Sequence, residues 1–176
     1  MNSSYIQQFK ALEDAKANLL SILAQSDEDD LKQRVDLKWS PLEHCYHVYL
    51  AEKLSRMYCE KKLSFDPVLK KAGFLTKLRL WGLKIIELVP LKFKAPQAIN
   101  QNAFPEHLSL EMVADEWEQE RKALNSFLDK VDPKYHDKEL FKQPLAGRLT
   151  IGGMLEFFLF HLQRHQSHIK TQYKIG

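Results

Sequence analysis

Glycine and proline are scarce, at 6 and 7 of 176 residues, which argues against a many-turned all-β fold. Cysteine is scarcer. Cys45 and Cys59 stand fourteen residues apart on one expected helix, about 21 Å along its axis and far beyond disulfide reach. Both are read as reduced thiols of a cytoplasmic protein. No run of about 18 apolar residues occurs, so no membrane-spanning helix is expected. The opening MNSSYIQQFKALEDAKANLL has no apolar run behind a basic start, so no secretory leader is expected. A formal net charge of +3 is too small to argue for nucleic acid as a partner. Several catalytic signatures are also missing. There is no HExxH, no nucleophilic-serine elbow and no glycine-rich phosphate loop. The paired Glu-x-x-His of di-iron bundles does not occur either.

What is present is helical periodicity. Hydrophobic residues make up 44% and charged residues 28%, as in an ordinary globular domain. Residues 5–25 carry an apolar stripe through Ile6, Phe9, Leu12, Leu19, Ile22 and Leu23. SDEDD at 26–30 ends it, and 31–38 form a polar connection. Ser40, Pro41 and Glu43 make a capping box with proline at the first helical position, so a second helix runs from there to about Lys61. Its expected inner face is His47, Leu50, Ala51, Leu54 and Tyr58. Residues 64–107 are a long crossover. Within it, 68–89 read as a helix that is apolar on nearly every side and locally basic, ended by Pro90. That helix suits packing on the bundle with snorkelling lysines, a dimer surface, or a membrane surface. An irregular strip follows to His107. Ser109 caps a third helix with Leu110, Val113, Trp117, Leu124, Phe127, Leu128 and Val131 inside. A loop over 131–149 leads to Thr150, which caps the fourth. The expectation is one all-α domain over 1–176, a four-helix bundle whose long helix 2 to helix 3 crossover carries an extra helix.

The fourth helix, TIGGMLEFFLFHLQRHQSHI, is the stretch that carries chemistry. Met154, Phe157, Phe158, His161, His165 and His168 fall on one stripe at steps of three and four. A buried imidazole needs a hydrogen-bond partner or a metal. His161 and His165 are one turn apart, and His47 faces inward from the second helix. Three inward histidines suit a bundle-core metal site for zinc, nickel, copper or iron with an open position. Spacing alone leaves satisfied core or surface histidines as the alternative. His44 reads as structural or surface. Glu52 is off the His47 face by more than a right angle and reads as a partner for a neighbouring helix rather than a ligand. Gly152 and Gly153 are poor helix formers and suggest close packing or ligand access.

Two motifs then stand out together. W-S-P-x-E-x-x-x-H is Trp39, Ser40, Pro41, Glu43 and His47, with Glu52 five residues on. P-L-x-G-R-L-T through Pro144, Gly147, Arg148, Leu149 and Thr150 leads into Phe157, His161, Arg164 and His165. This order and spacing resembles the DinB/YfiT-like superfamily of small metal-binding four-helix proteins over essentially the whole chain, and FKAPQAI at 93–99 resembles the strip before helix 3 in one branch. The resemblance implies a mononuclear divalent metal, zinc or nickel, on His47, His161 and His165. It also implies a homodimer, and a metal-dependent hydrolase or a transferase of low-molecular-weight thiols acting on a small molecule. The chain departs from the family where glutamine is usual and His168 stands, which adds an outer or alternative ligand or a solvent-facing residue. It departs again at Gly152–Gly153, where a polar residue is common. Arg164 reads as a surface or ion-pairing residue rather than an anion clamp. Glu52 is the one further candidate near the metal, as an outer-sphere group. The competing reading is a non-enzymatic bundle that binds a small ligand or partner and keeps a structural metal.

Overall fold

The structure is a computed structural model that describes residues 3–36, 38–88 and 97–174. Four long helices form a bundle: α1 (Ser3–Leu23), α3 (Pro41–Leu63), α5 (Leu110–Lys130) and α6 (Ile151–Tyr173). Two shorter helices join them, α2 (Glu28–Lys32) and α4 (Phe74–Leu88). α6 packs on α1, α3 and α4, while α5 packs on α3 and α1.

Two buried clusters show how the helices run. One holds Tyr5 and Leu12 of α1, Cys59 of α3, Leu124 and Leu128 of α5, and Met154 and Phe158 of α6. The other holds Leu19 and Leu23, Cys45 and Val48, Val113 and Trp117, and Leu162 and Ile169 of the same helices. The N-terminal halves of α1 and α6 therefore share an end with the C-terminal halves of α3 and α5. So α3 and α5 run parallel, and a parallel pair requires a crossover spanning the bundle. That is why the connection from α3 to α5 is long.

The starts of α3, α5 and α6 are where the sequence puts them. Ser40 Oγ accepts from the Glu43 amide at 3.2 Å and the Glu43 carboxylate accepts from the Ser40 amide at 2.8 Å. Ser109 and Thr150 accept from the amides of Met112 and Gly153 at 3.1 and 3.0 Å. A side chain at Gly153 would bring its Cβ to 3.2 Å from Leu149 Cβ, so this glycine permits close packing at the start of α6.

Other stretches differ from expectation. Residues 31–38 are not wholly a connection, because α2 forms one turn of helix with buried Leu31. The helix expected from 68 begins at Phe74. Residues 70–72 instead pair as extended backbone, with Glu139 N–H donating to Lys70 O at 2.9 Å and Ala72 N–H to Asp137 O at 2.8 Å. The loop over 131–149 contains a small antiparallel hairpin, β1 (Phe141–Gln143) with β2 (Gly147–Leu149), turned at Gly147 with φ +79. Three-residue strands are too short to show an alternating pattern. Pro90 and the strip from 91 to 96 lie outside the described residues.

The inner face of α3 is also rotated from the apolar pattern. Leu54 and Tyr58 are exposed, and the buried line runs through Cys45, Val48, Glu52 and Cys59. Its charged member is matched from α5: Arg121 Nη2 and Trp117 Nε1 donate to the two Glu52 oxygens at 2.9 and 2.8 Å. Beside it Arg56 donates twice to Glu120, both at 2.7 Å. Both cysteines are free and buried, and burial pushes their thiols up to about 12. No helix among the described residues is long and apolar enough to cross a membrane.

Removing one partner of a fully buried pair leaves an uncompensated charge. Arg121→Met is expected to lower the unfolding free energy by about 3–5 kcal/mol, read by urea denaturation. A loss below about 1 kcal/mol would show that the pair does not anchor α3 to α5.

Candidate metal centre

The capping box sets the register of α3, so His44 and His47 fall within its first two turns. The Thr150 cap does the same for α6 and sets His161, His165 and His168 in its C-terminal half. Because α3 and α6 are antiparallel, these histidines meet across one seam.

His47 and His165 are buried, and His161 is half-buried with its Nδ1 enclosed. The Nε2 atoms of His47 and His165 each lie 3.2 Å from His161 Nε2. Two nitrogens about 2.0–2.1 Å from one tetrahedral ion are about 3.3 Å apart, so the spacing fits a shared cation. The far side of His47 is fixed: its Nδ1 donates to the Ile99 carbonyl at 2.6 Å. That places the proton on Nδ1 and leaves the Nε2 lone pair facing the other two rings. On His165 the outer nitrogen Nδ1 lies 2.8 Å from Nδ1 of His44. When His165 donates there, its Nε2 is likewise free to ligate.

The surroundings are apolar and aromatic. Trp39 covers the seam, with its ring 4.7 Å from His47 and stacked 6.3 Å from His165. Phe104, from the crossover, packs edge-on against Trp39. Phe157 stacks on His161 at 5.2 Å. Burial is the leading cause that lowers all four imidazoles: His47 is lowered, His161 and His165 lie well below 6.5, and His44 falls to about 3. Neutral imidazoles are the form that binds metal.

The structure brings together the three histidines singled out in the sequence. It puts Glu52 elsewhere: both oxygens are engaged by Trp117 and Arg121, and burial raises the carboxyl to about 7 against the pull of Arg121. Arg164 donates to the Ile86 carbonyl at 2.9 Å and ties α4 to α6. His44 is the residue that periodicity undervalued. It is only 7% exposed and touches His165, and its ring and that of His165 also stand against His168 at 6.0 and 5.9 Å.

Histidines held neutral in the fold make stability depend on pH. The unfolded chain takes up protons near 6.5, whereas the folded chain resists until lower pH. Stability is thus present above about 6.5 and falls as pH drops through that value toward the folded-state values, by about 1.4 kcal/mol per pH unit for each proton taken up only on unfolding. Metal-free protein is expected to unfold at lower urea at pH 5.5 than at pH 7.5. Equal midpoints would contradict the burial of neutral imidazoles.

Comparison with known proteins bears on the fold and the family. A solved structure described as "Crystal structure of TT2238, a four-helix bundle protein" aligns over 95% of this chain and 98% of that one, at 20% identity and a TM-score of 0.58, and so shares the fold. No curated protein matches the chain. The family model of the DinB superfamily matches residues 11–169, and the chain belongs to that superfamily.

Proposed function

We propose that this protein is a metal-dependent enzyme in which His47, His161 and His165 hold one divalent cation, zinc or nickel, and that it acts on a small molecule by hydrolysis or by transfer of a low-molecular-weight thiol. The observation that carries this reading is the convergence of the His47 and His165 Nε2 atoms on His161 Nε2, each at 3.2 Å, inside an apolar seam. Superfamily membership and the histidine group are compatible with it. With three protein ligands, a bound cation supplies a Lewis acid with an open position, which lowers the pKa of water or of a thiol.

The chain's own residues do the rest. Ile99 and His44 orient two of the rings from behind. Trp39, Phe104 and Phe157 exclude water and offer aromatic walls to a substrate with an apolar part. The expected homodimer has a surface to use in the outer face of α4, where Phe74, Leu75, Leu78, Trp81 and Ile85 are exposed; sedimentation velocity would detect it.

Protein purified without a nickel column is expected to retain about one tightly held equivalent of zinc or nickel, and a His47→Ala, His161→Ala double variant to lose it. Wild type that takes up neither ion, even on reconstitution, would overturn the reading and leave a binding bundle. His44→Leu is expected to weaken the tight equivalent by about 10–100-fold, with His44→Gln weakening it less. Saturating the loaded protein with a thiol and an electrophile, and separately with activated esters, separates the two chemistries. No turnover with either, and no spectral change of a cobalt-substituted centre on adding thiol, would end the enzymatic proposal.

A further inference from the structure

The histidines of the seam form a repeat. On α3, His44 precedes His47 by three residues. On α6, His168 follows His165 by three. In an antiparallel pair of helices these two steps go the same way along the seam. His47 with His161 and His165 is one rung, and His44 with His165 and His168 is the next. In each rung the three histidines offer ligand atoms that all lie within 4.8 Å of one another. His165 belongs to both, turning Nε2 toward His161 and Nδ1 toward His44.

We propose that His44, His165 and His168 are a second cation seat, joined to the first through the His165 ring. The inference rests on the metal-site reading above and extends it. Two of the three rings of the second rung are buried. His44 is 7% exposed and His165 8%, and Trp39 shields both, its ring 5.7 Å from that of His44. His168 is half-buried, so the seat opens to solvent on its side.

The two facing Nδ1 atoms are 2.8 Å apart, a hydrogen-bond distance that two neutral rings keep only with one proton between them. A second cation takes its place. The proton leaves to solvent, the two nitrogens part toward the ~3.3 Å expected of ligands on one ion, and His165 bridges both cations as imidazolate. The donor set is entirely imidazole nitrogen, which selects zinc, copper or nickel over magnesium or calcium. Arg164, whose charge acts on His168, and the cation already on the first rung both oppose the second. The second seat is therefore the weaker one and fills on titration rather than on purification.

The test is equilibrium dialysis with zinc alone and with copper(II) alone, on wild type, His168→Gln and the His47→Ala, His161→Ala double variant, each checked for helical content by circular dichroism. Wild type is expected to take up two equivalents, the second at least 10-fold more weakly. His168→Gln should keep the tight equivalent alone, and the double variant should keep one weak equivalent. In wild type loaded with two copper(II) ions, imidazolate bridging should couple the spins, so the electron paramagnetic resonance signal per copper falls well below that of the singly loaded protein. Saturation of wild type at one equivalent, unchanged in His168→Gln, would overturn the second seat and leave the first standing. Two equivalents in wild type and in His168→Gln alike, with uncoupled copper signals, would also overturn it, since the extra cation would then lie elsewhere. No uptake by any of the three proteins would instead remove the first site, and the second with it.

Discussion

The arrangement depends on burying several imidazoles together in one helix–helix seam. Neutral polar rings are costly to bury without partners, and among the four closest the partners are each other and one carbonyl. His47 is held by Ile99, His165 faces His44, and both Nε2 atoms face His161. Shift either helix by one residue and these contacts are lost, because a one-residue shift turns each side chain by about 100° around its axis. The caps at Ser40 and Thr150 matter for that reason: they fix where α3 and α6 begin and hence which residues reach the seam.

The crossover belongs to the same constraint. A parallel α3 and α5 cannot be joined by a short turn, and the connecting chain has to cross the bundle. In crossing, it brings the Ile99 carbonyl onto His47 and the Phe104 ring onto Trp39. A topological necessity thus also supplies the orienting group behind one histidine and part of the cover over the seam. The buried Glu52–Arg121–Trp117 group sits further along α3 and anchors it to α5, away from the histidines. Alignment of α3 is then set by a cap at one end and an ion pair in the middle.

Much of this was legible in the sequence because it is written in local chemistry. Capping residues at Ser40, Ser109 and Thr150 announce helix starts through side-chain groups that accept backbone amides. The spacing of His161 and His165 with Phe157 and Phe158 reveals a shared inward face. The partner of His47 was not legible, since it is a backbone carbonyl that any residue at 99 would provide. His44 was undervalued because it sits about 60° round from His47, and a seam between two helices is wide enough to bury both. The inner line of α3 was misread at Leu54 and Tyr58 because the true line carries Glu52, a charge that an apolar pattern skips. The start of α4 was hidden for a different reason. Residues 70–72 are held extended by backbone pairing with 137–139, a contact between distant parts of the chain that local propensity does not record.

The most direct measurement is X-ray absorption at the zinc edge of the protein carrying its single tight equivalent. A first shell of three imidazole nitrogens at about 2.0–2.1 Å is expected, with the outer-ring scattering of histidine and one exchangeable oxygen ligand. A shell containing sulfur, or one made of oxygen without imidazole scattering, would contradict it.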